Sequence, residues 1–480
     1  MRIFAVIIVL LCALAPNLVH AEAPEPALAI TDPQTLRELD AQRFGLNRML
    51  GAPDKAPTSE ALFALRSMAP VHRALDAEFT RYVGRHKATR PAETIGIGPP
   101  NDVQLFDKSQ FASADTSFVL AGIVNRMDRA YLAPDACGEI RQVYRLVKIG
   151  EGAPSRLPMT LSLILRARQP GDTVTCTDLA RRWLASDDVL ATLTPDHIDR
   201  IETNLQIAHV PQSATHEFRT DYLQKVFRYD RRHNAFVESP MENQIDRDRL
   251  LADATLADEF KAWLLDAKNL AAFDAGTVLI PERFLATGSV ASTPSGFDRS
   301  ALQPSFGLMQ SDGAGNAVFS DDDVVTALAK ATERGIVLQN IRSPAGFARR
   351  LSDISCGGCH QVRGIGGFHF PGVDALVPSA ATVPASPHFA GDQPRRRDIL
   401  VAMRDSVAPD FSRGFSDRPQ VRRSAELAGT EYLNGWGATC YRPLAKANDK
   451  SFASWDCADG LACQPAGAEQ ASPIGMCFVK

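Results

Sequence analysis

The sequence lacks a second long apolar run, a surplus of positive charge and any internal repeat. The one apolar run, Ile3 to Leu14, follows Met1-Arg2 and stops at Pro16 and Asn17. It is too short to span a membrane, and Val19 and Ala21 are small enough for the −3 and −1 positions of a cleavage site. It reads as a secretory signal peptide removed near Ala21, with no transmembrane span in the mature chain. Leu11 before Cys12 argues against lipidation, which wants a small residue there. With Arg2 gone, 51 Lys and Arg face 56 Asp and Glu, a net charge of −5. That balance argues against nucleic acid or an anionic membrane surface as partner.

Several kinds of site are missing as well. There is no convincing Ser/His/Asp set and no helix with metal-ligand spacing. The glycine-rich stretches "GIGPP" and "GSVASTPSG" read as loops, and neither sits between a strand and a helix as a nucleotide site requires. Asp321-Asp322-Asp323 reads as the capped start of a helix over 323–334, because the further oxygen ligands of a calcium site are absent.

The rest of the chain reads as an α+β protein. Residues 22–115 form a helical N-terminal region, with helical spacing over 34–90 broken at Pro70. Residues 116–340 form a mixed α+β body. There "TSFVLAGIVNRMDRA", "GEIRQVYRLVKIG" and "LPMTLSLILRAR" predict strands, 177–186 and 195–207 predict short helices, and "DYLQKVFRYDRRHNAFVES" predicts a hairpin turning near Arg232-His233-Asn234. Residues 247–272 return to helix. A small, mostly helical segment spans 341–425. Ser343-Pro344 starts a helix there with Phe347, Leu351 and Ile354 on one face, and Pro394 opens another over 394–407. A cysteine-rich module fills 430–480.

In an exported chain, paired cysteines imply disulfides. Cys137 and Cys176 form the simplest pair in the middle body. Cys440, Cys457, Cys463 and Cys477 crowd a unit too small to hold itself by burial, so two bridges are expected. Three connectivities are possible, and the reading favours Cys440–Cys463 with Cys457–Cys477.

That leaves Cys356-Gly357-Gly358-Cys359-His360. With 9 Cys and 10 His in 480 residues, chance produces CxxCH in roughly 0.3% of such chains. A zinc site wants a second cysteine pair, and the sequence has no second CxxC. A redox dithiol should open a helix, whereas here the helix precedes the pair. Covalent attachment of one haem c accounts for the spacing: Cys356 and Cys359 each add to one vinyl group, and His360 turns under the iron as proximal ligand. The two glycines let the backbone approach the macrocycle.

On these residues, positions 340–410 resemble c-type cytochromes. More widely, "NRMDRA…CGEIRQVYRL", "FARRLSDISCGGCHQVRGIGGFHF" and "SPHFAGDQPRRR" are similar to a group of uncharacterised exported bacterial proteins carrying one CxxCH, a group with no activity to carry over. The resemblance to cytochromes implies a periplasmic or secreted protein that receives its haem from the c-type attachment machinery. It would act in electron transfer or haem-dependent redox chemistry, with a redox partner protein or a small-molecule substrate. The sixth iron position is open among Met403, His388, His369 and no ligand. Arg363 and Arg395-Arg396-Arg397 are either partners for haem propionates or a solvated basic helix start. A di-haem peroxidase would need a second CxxCH. The competing reading is an exported envelope binding protein whose haem is structural or senses a small ligand, with the cysteine-rich tail making the contact.

Overall fold

The computed structural model describes residues 28–52, 57–149, 155–209, 219–293, 308–309, 317–355, 387–414, 434–435, 438–442, 456–465 and 474–480. Among them lies a mixed α/β body built on a ten-stranded sheet. Its strands are β1 (Ala29–Ile30), β2 (Ile95–Ile97), β3 (Val103–Leu105), β4 (Thr116–Arg126), β5 (Glu139–Lys148), β6 (Ser155–Arg166), β7 (Ile198–His209), β8 (Arg219–Asp230), β9 (Ala235–Ser239) and β10 (Gly288–Thr293). The order runs β1-β4-β5-β6-β7-β3-β2, and β8 pairs with β7, β9 and β10. All pairings are antiparallel except β2 with β3.

Side chains alternate across a strand, so each strand contributes to two faces. One face carries Phe118, Ile140, Tyr144, Leu161, Leu163, Ile201, Leu205 and Phe227 into the larger apolar core. Helices cover it: α1 (Pro33–Leu39), α2 (Leu46–Met49), α3 (Ser59–Phe63), α4 (Ala69–Thr89) and α5 (Cys176–Ala185). Helix α4 buries Val71, Leu75, Phe79 and Tyr82 along one stripe, and Pro70 sits in its first turn, where a missing N–H costs nothing. Pro70 therefore starts a helix rather than breaking one. Helix α5 opens with a reciprocal cap between Thr175 and Asp178.

A second core follows in α6 (Arg247–Ala252), α7 (Ala254–Leu264), α8 (Ala267–Asp274), α9 (Asp321–Glu333) and α10 (Pro344–Asp353). Phe347 of α10 packs on Phe319 at 5.0 Å and on Phe273 at 5.1 Å between ring centres. The entry to α10 is pinned by Asp274, whose carboxylate accepts from the backbone amides of Gln339 (2.7 Å), Asn340 (2.8 Å) and Ile341 (2.6 Å). Ser343 Oγ accepts from the Gly346 amide and caps the helix, as its sequence indicates. Arg350, 2% exposed, donates to the carbonyls of Asp274 (2.7 Å) and Arg413 (2.9 Å). Burial pulls its guanidinium down to about 10. These bonds fix both the direction in which α10 ends and the strand of chain at 413–414 beside it.

Helix α11 (Pro387–Arg404) returns to the first core, where Leu400 is buried and Met403 is half-buried. Thr177 Oγ1 of α5 donates to the Met403 carbonyl at 3.1 Å. The C-terminal residues form a separate three-stranded sheet of β11 (Thr439–Tyr441), β12 (Leu461–Pro465) and β13 (Ile474–Val479), in the order β11-β13-β12.

Further local expectations are overturned, and among them "GIGPP", read as a loop, begins within β2 at Gly96 and Ile97. The helix expected at 195–207 is a short 3-10 turn, Pro195–His197, followed by β7. Ile198, Ile201 and Leu205 fit helical spacing. Ile201, Thr203, Leu205 and Ile207 also alternate, and pairing on both sides decides for the strand. The stretch "GSVASTPSG", read as a loop, begins with β10, which pairs with β8 over Gly288–Thr293. Pro394 lies inside α11 rather than at its start. Asp392, bonded to Arg395 and Arg396 at 2.7 Å each, bridges the turn around it.

Candidate functional site

The second face of the sheet is polar, buried at Thr160, Ser162, Asn204, Gln224 and Ser289 and opening to solvent toward Arg228. Strand register lays its side chains out in rows. Arg145, Thr160, Asn204, Gln224 and Ser289 form one row across β5, β6, β7, β8 and β10. Val143, Ser162, Glu202 and Val226 form the next, and Arg141, Ile164, Arg200 and Arg228 a third. Thr160, Ser162, Asn204, Gln224 and Ser289 are all buried. Even so, Thr160 Oγ1, Ser162 Oγ, both amide atoms of Asn204, Gln224 Oε1 and Ser289 Oγ have no hydrogen-bond partner. Buried polar atoms are nearly always bonded, because each one left unmade costs about 1–3 kcal/mol. Exchanging the Asn204 amide oxygen and nitrogen does not remove the anomaly, since neither atom is satisfied.

Beside these rows lies a network of buried charges. Glu139 receives Arg129 at 3.0 Å, Arg141 at 3.0 Å and Arg200 at 2.7 Å, and Glu202 receives Arg141 at 2.9 Å and Arg200 at 2.8 Å. Arg129 also reaches Glu242. Burial alone would raise the Glu139 carboxyl, but the guanidiniums of Arg200, Arg129 and Arg141 hold it well below the usual carboxylate range. Glu202 is lowered against its own burial by Arg141 and Arg200. Gly138 makes the arrangement possible. Its φ is +85°, and a Cβ there would lie 2.7 Å from the Met127 Cα. Only glycine lets the 126–129 turn close against β5 and set Arg129 beside Glu139.

A second cluster ties α11 to the end of β4. Asp128 bonds Arg126 at 2.9 Å and Arg395 at 2.9 Å, and Asp392 bonds Arg395 and Arg396. Burial opposes ionisation of Asp128, but Arg126 and Arg396 hold its carboxyl well down. Burial and the adjacent Arg126 charge push the Arg396 guanidinium below its usual value. Positive charge is therefore in excess there.

Both clusters border one cavity of about 520 Å³. Its floor is the polar sheet face at Asn204, Gln224, Ile164, Arg200 and Glu202. Its opposite walls are Pro240–Glu242, Leu279, Ile280, Arg396, Arg413 and the end of α10 at Asp353, Ile354 and Ser355. Among the described residues, nine Lys or Arg side chains line it against six carboxylates, and none of these lining residues is aromatic.

Cys356, Cys359 and His360 lie outside the described residues, directly after Ser355, as do His369 and Arg363. The first turn of α11 holds the backbone of His388, whose side chain is outside the description, and Met403 packs against the first core. Arg395 and Arg396 are engaged with Asp128 and Asp392. The geometry of a haem site is thus not on view, but its approach can be tested for fit. The described lining, rich in guanidinium groups, suits the carboxylate edge of a haem c.

The cysteines among the described residues are joined as Cys137–Cys176, Cys440–Cys463 and Cys457–Cys477, with Cα separations of 5.4, 5.7 and 5.5 Å. The first bridge ties the turn before β5 to the start of α5. The other two cross-link the small tail sheet, where Cys463 and Cys477 face each other in register but bond to other partners. Among the described residues, no helix is long and apolar enough to cross a membrane.

Sequence reading did not single out Glu139, Arg200, Glu202, Asn204 or Gln224. A signal was present in part. The three stretches quoted together above supply Arg126, Glu139, Arg141, Asp353, Ser355 and Arg396 to the same cavity. No family model, curated protein or solved structure matches the chain.

Proposed function

We propose that the chain is an exported monohaem c-type protein that acts in electron transfer or haem-dependent redox chemistry. One observation supports this reading most. The helix that leads into Cys356-Gly357-Gly358-Cys359-His360 is fixed by Asp274, Arg350 and the Phe347 contacts, and its last residues, Ile354 and Ser355, line the charged cavity. Ser355, the residue before CxxCH, thus lies at the wall of the charged cavity.

In this reading Cys356 and Cys359 hold the haem by thioethers and His360 binds its iron. When bound, the group supplies a one-electron couple at a potential set by its axial ligands and surroundings. The chain's own residues do the rest. Arg413 and Arg396 present positive charge toward carboxylates at the cavity wall. The Glu139 and Glu202 network keeps its carboxylates ionised and its guanidiniums oriented, so the field at the wall does not change across neutral pH. The three disulfides suit the oxidising compartment in which such a group is attached.

A redox titration of the intact exported chain, paired with carbon monoxide addition to the reduced form, tests the proposal. A reversible one-electron couple without carbon monoxide uptake is expected. Ready uptake would instead favour a binding or sensing protein, a reading to which the unsatisfied polar atoms of the cavity lend weight. Absence of any couple would sink both.

A further inference from the structure

The unsatisfied side chains of the polar sheet face need a partner of defined chemistry. Asn204 is 3% exposed and Gln224 is 6% exposed, and both line the cavity. Asn204 offers an unused donor and an unused acceptor, and Gln224 an unused acceptor. An acceptor is satisfied only by an O–H or N–H on the ligand. Simple carboxylates at neutral pH have no such donor, and inorganic phosphate, which keeps one or two O–H groups, has no array of hydroxyls to reach both amides. Hydroxyl groups both donate and accept, and so match an amide at either end.

The charge at the cavity is equally specific. Half-buried Arg413 and exposed Arg228 line it, and neither lies within ion-pair distance of a carboxylate among the described residues. A ligand with one or two carboxylates would meet them. Among the described residues the lining offers no aromatic stacking surface for a nucleobase or another flat apolar ring. The volume, about 520 Å³, falls within the range of roughly 300–1,000 Å³ typical of small-molecule sites.

We propose that this cavity binds a sugar acid, with its hydroxyls on Asn204 and Gln224 and its carboxylate toward Arg228 and Arg413. The floor at Asn204 and Gln224 belongs to the sheet, so the amide contacts do not depend on the haem reading, although Arg413 and the end of α10 line the wall used in it. The two can fail separately.

Calorimetric titration of the full exported chain with D-glucuronate, glucose and inorganic phosphate tests the assignment. Glucuronate is expected to bind, with glucose and phosphate each at least about ten-fold weaker. Asn204→Ala should weaken glucuronate about ten-fold or more while leaving the melting temperature unchanged or higher, because no internal hydrogen bond is broken. Arg413→Gln should erase the preference for glucuronate over glucose. A Cys356→Ser/Cys359→Ser chain should bind glucuronate as the parent does. Three results would overturn the proposal: no heat with any of the three probes, as expected if water alone fills the cavity; phosphate binding as tightly as glucuronate; or an Asn204→Ala affinity equal to that of the parent.

Discussion

The two faces of the large sheet are buried by opposite means. On one, Leu161, Leu163, Ile201, Leu205 and Phe227 meet helices, with Gln142 Nε2 left without a partner among them. On the other, Glu139, Glu202, Arg141 and Arg200 neutralise one another, while Thr160, Ser162, Asn204, Gln224 and Ser289 keep unmet hydrogen-bonding capacity. Hydrophobic transfer explains most of the first face. It does not explain the second, because paired buried charges are often no better for stability than well-packed apolar residues of similar volume. The polar face is where a requirement other than stability has acted.

The comparison can be broken most forcefully by a single charge. Glu139→Ala leaves Arg129, Arg141 and Arg200 facing one another and should destabilise the fold by about 3–5 kcal/mol. Leu163→Ala on the opposite face should cost about 2–5 kcal/mol by leaving a cavity. Urea unfolding measures both, and a loss below about 1 kcal/mol for Glu139→Ala would mean that the network is solvated rather than buried. Removing the Cys137–Cys176 bridge, whose ends are 39 residues apart, should cost about 4 kcal/mol on the chain-entropy account. The same unfolding assay on the Cys137→Ser/Cys176→Ser chain checks it.

A charge on the apolar side should behave in the opposite sense. Burial raises the Asp40 carboxyl to about 6, even though the Leu120 amide donates to it at 3.2 Å. The folded state therefore prefers the proton. Its contribution is fully present below the unfolded value near 3.8 and is lost as pH rises through about 6. Asp40→Asn should stabilise by about 2–3 kcal/mol at pH 7 and make little difference near pH 4, as thermal melts at the two pH values would show. The smallest expected effect returns to the polar face. Asn204→Leu, without added ligand, should be neutral or stabilise by up to about 1 kcal/mol, whereas a clear loss would reveal a hydrogen bond that the amide makes.

The fold was legible wherever period and punctuation agreed. β4, β5 and β6 were readable from β-branched runs between glycine, proline and aspartate, and α10 from Ser343-Pro344 and its apolar stripe. β7 was not, because its isoleucines and leucine satisfy both periods and only its neighbours select one. The disulfide pairing was within reach of counting and compartment. The charged network was not, because Glu139 and Glu202 stand 63 positions apart in sequence and meet through Arg141 and Arg200 only once the register of three strands is set. Asn204 and Gln224 carry no sequence signal. What marks them is the absence of a partner after folding, a property of the assembled sheet.

The most direct test of the functional account is retention of haem by the exported chain, produced together with c-type attachment machinery and extracted with acidified acetone. The account predicts one haem per chain that stays with the protein after extraction and is lost in a Cys356→Ser/Cys359→Ser chain. A parent chain that gives up all of its haem to the solvent, or never acquires any, would contradict it.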